Sequence, residues 1–187
     1  MKAKRVTDLD PTGPLVENAA RIIAVRLGEL RELAPAALRP SSELDQHDLR
    51  IAAKRLRYVL EATEFCFGEP AKAARRRARD LQEVLGELRD CDQMEPQVGE
   101  QVERLRRADA AALRRRAGDR PDADPAAMTT APNRNAYRGL ELLRVHLIAR
   151  RELLFDRFVQ LWAEIERERT WDELEAAGER RLAERSA

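Results

Sequence analysis

His47, Arg50, Lys54 and Arg57 recur at i, i+3, i+7 and i+10 within the stretch HDLRIAAKRLRY. On a helix that spacing gathers all four on one face. Leu49, Ala52, Ala53, Leu56, Val59 and Leu60 gather on the other, so the stretch reads as a helix that packs on one side and is cationic on the other. Arg55 and Tyr58 lie toward the margins of the cationic side. Arginine and lysine only donate hydrogen bonds, which makes the group suited to an extended anion rather than to proton abstraction. Arginine forks onto phosphate oxygens, lysine adds a point charge, and a histidine beside phosphate is favoured in its protonated, donating form. Acids fall short of balancing this stripe. Asp48 sits a quarter turn away, Glu61 lies at the far end, and no carboxylate occupies the favourable position before a cation along the stripe. The charge calls for water or for an anion, and a merely solvated helix face is the competing reading.

The following segment offers a second such flank. Arg75, Arg79, Gln82, Gly86 and Arg89 follow at steps of four, three, four and three, beside a packing stripe of Ala74, Ala78, Leu81, Leu85 and Leu88. If that flank faces the His47 stripe across an antiparallel hairpin, the two helices build one basic groove. Gly86 costs about 1 kcal/mol inside a helix, and either close helix approach or close ligand approach would explain it.

The elements that position these residues are helical. Hydrophobic residues at 43% argue for a packed core, while 37% charged and 4% aromatic residues argue for many solvated helix faces rather than a β-sandwich. Residues 1–13 read as a flexible leader. A first helix runs from Pro14 to about Leu33 on a stripe of Leu15, Ala19, Ile22, Ile23, Leu27, Leu30 and Leu33 interrupted by Arg26, with Pro35 ending it. The second helix starts just before His47, where the helix dipole would add to an anion's attraction, and stops at Gly68. The third spans about Pro70 to Asp90. A fourth begins after Pro96 and runs to about Ala117, completing a four-helix unit over 14–117. Residues 118–133, with three prolines and no periodicity, form a linker. Residues 134–187 supply a long helix, about Arg134 to Arg169, and a short, mostly charged helix from Thr170 that is expected to fray. Phe155, Phe158 and Trp162 recur with the apolar stripe of the long helix and read as core or docking residues.

Two motifs carry a family resemblance. The pattern H-x-x-R-x-x-x-K-R-x-R-Y at His47 to Tyr58, followed by Leu81, Leu85, Gly86, Leu88 and Arg89-Asp90 in DLQEVLGELRDCDQM, resembles the CHAD domain, the conserved histidine α-helical domain. The likeness extends from about Glu17 to Val98, with a further stretch at Leu140 to Glu166. It implies an all-α antiparallel four-helix bundle plus a long C-terminal helix, which binds inorganic polyphosphate without catalysis, and it raises targeting to polyphosphate granules as a role. By position the contacts would fall on His47, Arg50, Lys54, Arg55 and Arg57, with Arg89 and the Arg150-Arg151 pair as further contributors. The chain departs from the family in two respects. The second half is incomplete, since His146 has arginines at i+4 and i+5 rather than the H-x-x-R spacing. A net charge of +1 also contrasts with a strongly basic family, so a polyanion site here has to come from local charge segregation.

Other chemistry lacks support. No nucleotide-binding glycine motif, H-E-x-x-H or G-x-S-x-G occurs, and Cys66 and Cys91 have no metal-ligand spacing, so no enzyme activity, cofactor or metal is expected. No run approaches the roughly 20 apolar residues of a membrane span, and no secretory signal is recognisable; a cytoplasmic, soluble protein without a membrane partner is expected. The functional expectation is polyphosphate binding by His47, Arg50, Lys54, Arg55, Arg57 and Tyr58, assisted by Arg75, Arg79, Arg89, Arg150 and Arg151. Two alternatives stay open: binding of nucleic-acid backbones by the same cations, and a helical adaptor whose Phe155-to-Trp162 region docks a partner or a second copy in a homo-oligomer. The linker length permits the long helix to close the groove in the same subunit or in another.

Overall fold

The computed structural model describes residues 2–186, with side chains through residue 183, and among them there is no strand. Five α-helices follow one another: α1 (Leu15–Ala37), α2 (Glu43–Phe67), α3 (Glu69–Ala117), α4 (Arg134–Arg167) and α5 (Thr170–Ser186). The all-α expectation is met. The chain divides into two compact units, one formed by Met1–Arg89 with Leu154–Ala187, the other by Asp90–Leu153. Helices α3 and α4 each contribute to both.

In the first unit, small residues set the helix spacing. Ala19 and Ala20 of α1, Ala52 and Ala53 of α2, and Ala71, Ala74 and Ala78 of α3 are all buried, as are Leu27, Leu30, Leu49, Leu56, Leu60, Leu81 and Leu85. Alanine lets backbones approach closely, so polar stripes that flank the core come within reach of one another. From α4, Phe155, Phe158 and Trp162 are buried, with the two phenylalanine rings edge to face at 6.1 Å. They are core residues, which removes them as a docking surface. Leu15, counted in the α1 stripe, is 55% exposed because it opens the helix.

Three expectations about element ends need correction. Proline 35 does not end α1; it sits in the last turn, and the helix closes when Leu38 N–H donates to the Ala34 carbonyl at 3.0 Å. Nor does Pro96 separate two helices, because α3 runs unbroken for 49 residues. A proline inside a helix forfeits one backbone bond and costs about 3 kcal/mol. Here ion pairs just before the proline hold the two helices of the second unit together: Asp92 with Arg151 at 2.6 Å and Glu95 with Arg144 at 2.6 Å. Finally, α5 is docked rather than frayed. Trp171, Leu174 and Ala177, three residues apart, are buried, and Arg31 of α1 reaches Asp172 at 2.9 Å and Glu175 at 2.8 Å. By contrast, α2 ends as its sequence indicates, with Gly68 in the left-handed region at φ 70°.

The N-terminal segment, expected to be flexible, is hydrogen-bonded to α1. Lys4 N–H donates to Glu29 Oε1 at 2.6 Å, Arg26 donates to the Lys4 carbonyl at 2.8 Å, and Arg21 donates to the Asp8 carbonyl at 2.8 Å.

The second unit is an antiparallel pairing of the later part of α3 with the earlier part of α4. Its register is set by the Asp92–Arg151 and Glu95–Arg144 pairs and by Arg106 with Glu141 at 2.9 Å. The segment 118–133 contains a short 3₁₀ turn, Pro125–Thr130, capped by Asp124, which accepts from Ala126 N–H at 2.9 Å. Its end is tied to α3 by the buried Asp109, which accepts from Asn133 Nδ2 at 2.8 Å and from Asn133 N–H at 3.2 Å.

One stability prediction arises here. Glu168, just after α4, accepts from Arg77 of α3 at 2.5 Å and 3.0 Å, and that hydrogen bond holds its carboxyl below the ordinary glutamate value of 4.5. A group whose folded-state value is depressed stabilises the fold above its unfolded value and loses that contribution as pH falls through the folded one. Thermal melts should therefore show the protein losing stability below about pH 4.5, and Arg77→Ala should flatten that part of the profile. An unchanged profile would mean the pair is screened to insignificance.

Candidate functional site

The cationic stripe of α2 runs along the seam with α3. Leu49, Ala52, Ala53, Leu56 and Leu60 are fully buried, so the packing face is fixed, and His47, Arg50, Lys54 and Arg57 are left half-buried beside it. The Arg50 guanidinium lies against α3 at Gly86, where a Cβ would meet Arg50 Nε at 3.3 Å. That contact gives Gly86 its reason: the missing side chain is the space the guanidinium occupies. At the other end of the seam, Arg75 Nε stands 2.7 Å from Glu64 Oε2. Together the two contacts fix an antiparallel register. That register sets His47 level with Arg89, and Arg57 level with the Arg79-to-Gln82 turn. The α3 flank read from sequence therefore does face the α2 stripe.

Charge along the seam is segregated. Among the described residues no carboxylate pairs with His47, Arg50, Lys54 or Arg89. Toward the far end, Arg57 Nε lies 3.6 Å from Glu61 and Arg75 faces Glu64. Glu64 continues the same stripe seven residues beyond Arg57. Tyr58 is half-exposed, with the Arg57 guanidinium 4.8 Å and the Lys54 ammonium 5.6 Å from its ring centre. The ring face holds both cations over the surface.

Several polar atoms of this seam are buried without a hydrogen bond: His47 Nδ1, Arg50 Nε, Arg57 Nε and Gln82 Oε1. The Arg75 Nε and Glu64 Oε2 atoms join them, because their close approach lies off the hydrogen-bond line. Leaving a buried donor or acceptor unsatisfied costs about 1–3 kcal/mol each. A cluster of such atoms on one seam is costly to the fold, and an anion supplying acceptors to the histidine and arginine donors would relieve most of it.

The remaining candidates are placed elsewhere. Arg55 turns toward α1, with its guanidinium 3.9 Å from Glu29, a carboxylate that is wholly buried and also accepts from Arg26 at 2.6 Å. Arg79 lies along its own helix, 3.6 Å from Glu83 and 3.9 Å from Asp80. Arg150 and Arg151 belong to the second unit, where Arg150 contacts Cys91 Sγ at 3.8 Å and Arg151 pairs with Asp92. His146 is exposed on the same α4 segment. Among the described residues no group of three or more His, Cys, Asp or Glu is arranged to hold a metal ion, and no helix is long and apolar enough to cross a membrane.

A family model described as CHAD domain matches residues 3–96, half of the chain. None of the curated proteins and none of the solved structures matches. The matched residues include the hydrogen-bonded N-terminal segment, all of α1 and α2, and α3 through Arg89, so they hold the whole α2–α3 seam with its histidine, its cations and the glycine that accommodates Arg50. On that match the chain belongs to the CHAD domain family.

Proposed function

We propose that this protein binds linear inorganic polyphosphate along the α2–α3 seam, without catalysis, in the cytoplasm. The observation that carries the reading is the row of buried polar atoms without hydrogen bonds, His47 Nδ1, Arg50 Nε and Arg57 Nε, on a stripe where no carboxylate pairs with His47, Arg50 or Lys54 among the described residues. Phosphate oxygens are strong acceptors, and a linear chain of them matches a row of donors spaced along a helix. Arg50 and Lys54 hold the chain, with Arg89 level with His47 on the opposing helix. His47 donates at the end of the stripe nearest the α2 N-terminus, where the helix dipole adds to the attraction. Arg57, Tyr58 and Arg75 extend the surface toward Glu61 and Glu64, which set its limit. Arg55 supports the site from behind through Glu29, Arg79 is peripheral to it, and Arg150 and Arg151 belong to the second unit. Membership of the CHAD family supports the same ligand, and targeting to polyphosphate granules is the cellular role that follows. Two free cysteines, Cys91 buried and Cys66 half-buried, suit a reducing compartment.

Binding should fall steeply with salt, because cations that neutralise a polyelectrolyte release its condensed counterions. A titration of long-chain polyphosphate at increasing salt tests this. A steep decline in log affinity against log salt is expected, and affinity insensitive to salt would overturn the reading.

A further inference from the structure

In the second unit, α4 carries an apolar surface that none of the described residues covers. Leu142 is 67%, Val145 64% and Ile148 48% exposed, and Ala149 beside them is exposed as well. At about 100° per residue these four, with Arg138 and Glu152, fall on one side of the helix. Isolated exposed leucines need no explanation, but a contiguous stripe on one helix face does. The pairing of α3 with α4 covers other residues of α4, such as the buried Leu147.

The charges at the two ends identify the occupant. Arg138 stands seven residues before Val145, and Glu152 stands seven after it. Leu142 and Ile148 stand three before and three after. The stripe is therefore its own complement when reversed about Val145. Laid antiparallel against a second copy, Val145 meets Val145, Leu142 meets Ile148, and Arg138 meets Glu152 at both ends. Arg138 and Glu152 have no ion-pair partner among the described residues, whereas their neighbour Glu141 is engaged by Arg106 and Arg144. An interface in which each residue meets its reverse counterpart is the isologous geometry of a two-fold dimer.

We infer that this face of α4 is a homodimer interface, in which two copies of the chain pair antiparallel about a two-fold axis at Val145. A single helix pair buries no more than the lower end of stable interfaces, about 1,200 Å² in total, so the expected dimer exchanges with monomer at micromolar concentration.

Sedimentation analysis of the full chain without polyphosphate, from low to high micromolar concentration, tests this alongside three charge variants. Arg138→Glu and Glu152→Arg each place like charges together at both ends, and each should weaken the dimer by about tenfold or more. The double variant Arg138→Glu/Glu152→Arg restores opposite charges and should recover the dimer. In a Cys66→Ser background, Val145→Cys should be joined to a second copy by a short thiol crosslinker, while Arg104→Cys on the exposed side of α3 should not. Circular dichroism confirms that each variant remains helical. A chain that stays monomeric at high micromolar concentration, a dimer indifferent to both reversals, or a double variant that fails to recover would overturn the inference.

Discussion

Replacing His47, Arg50 and Lys54 together by alanine is expected to weaken polyphosphate binding by at least about 100-fold, since hydrogen bonds to charged groups contribute about 1.5–3 kcal/mol each. The same variant should fold as well as the parent. His47 Nδ1 and Arg50 Nε are buried without hydrogen bonds, so their removal relieves desolvation costs rather than breaking contacts. Binding and stability should thus move independently, which a merely structural role for the stripe would not produce. Gly86→Leu probes the same point with every charge retained. Even a Cβ at Gly86 would crowd Arg50 Nε at 3.3 Å, and a larger side chain takes the guanidinium's place. Binding should drop by about tenfold, the equivalent of about one such contact, with helicity kept. Isothermal titration with polyphosphate and thermal melts of both variants decide the matter. A triple variant that binds normally, or one that loses binding only because it unfolds, would remove the stripe from the site.

The largest effect on stability is expected at Glu29. Its carboxylate is wholly buried and accepts from the Lys4 N–H and from Arg26, with Arg55 3.9 Å away. It joins the N-terminal segment, α1 and α2 through one anion. Glu29→Ala would leave Arg26, itself only 8% exposed, as a buried charge without its counterion. Removing one partner of such a pair typically costs about 3–5 kcal/mol. Glu29→Gln keeps the shape and one acceptor and should cost less. Urea denaturation of the two variants measures both losses. A cost below about 1 kcal/mol for Glu29→Ala, the value of a surface ion pair, would show that water reaches Arg26.

Periodicity made much of this legible. The two faces of α2 follow from residue spacing alone, Gly68 marks the helix end because it adopts the left-handed conformation, and the polar flank of α3 lies where its steps of three and four put it. What periodicity does not encode is what each charge meets across helices. Arg55 differs from Arg57 by two positions on one helix, yet one meets a buried carboxylate on α1 while the other lies over a tyrosine ring and near Glu61. Glu64 was legible as a stripe position, but its hold on Arg75 depends on the register between α2 and α3. Local rules also misled where tertiary contacts outweighed them. Pro96 breaks an isolated helix, but ion pairs from Asp92 and Glu95 hold α3 against α4 on its N-terminal side. The α5 sequence looks too charged to dock, yet Trp171, Leu174 and Ala177 suffice because they share one face.

The most direct measurement is equilibrium binding of labelled long-chain polyphosphate to the full protein at near-physiological salt, with duplex and single-stranded nucleic acid as competitors. Tight binding that nucleic acid does not displace, and that the His47/Arg50/Lys54 alanine variant loses, is the predicted result. Absence of binding, or binding displaced equally well by nucleic acid, would contradict a polyphosphate site on the α2–α3 seam.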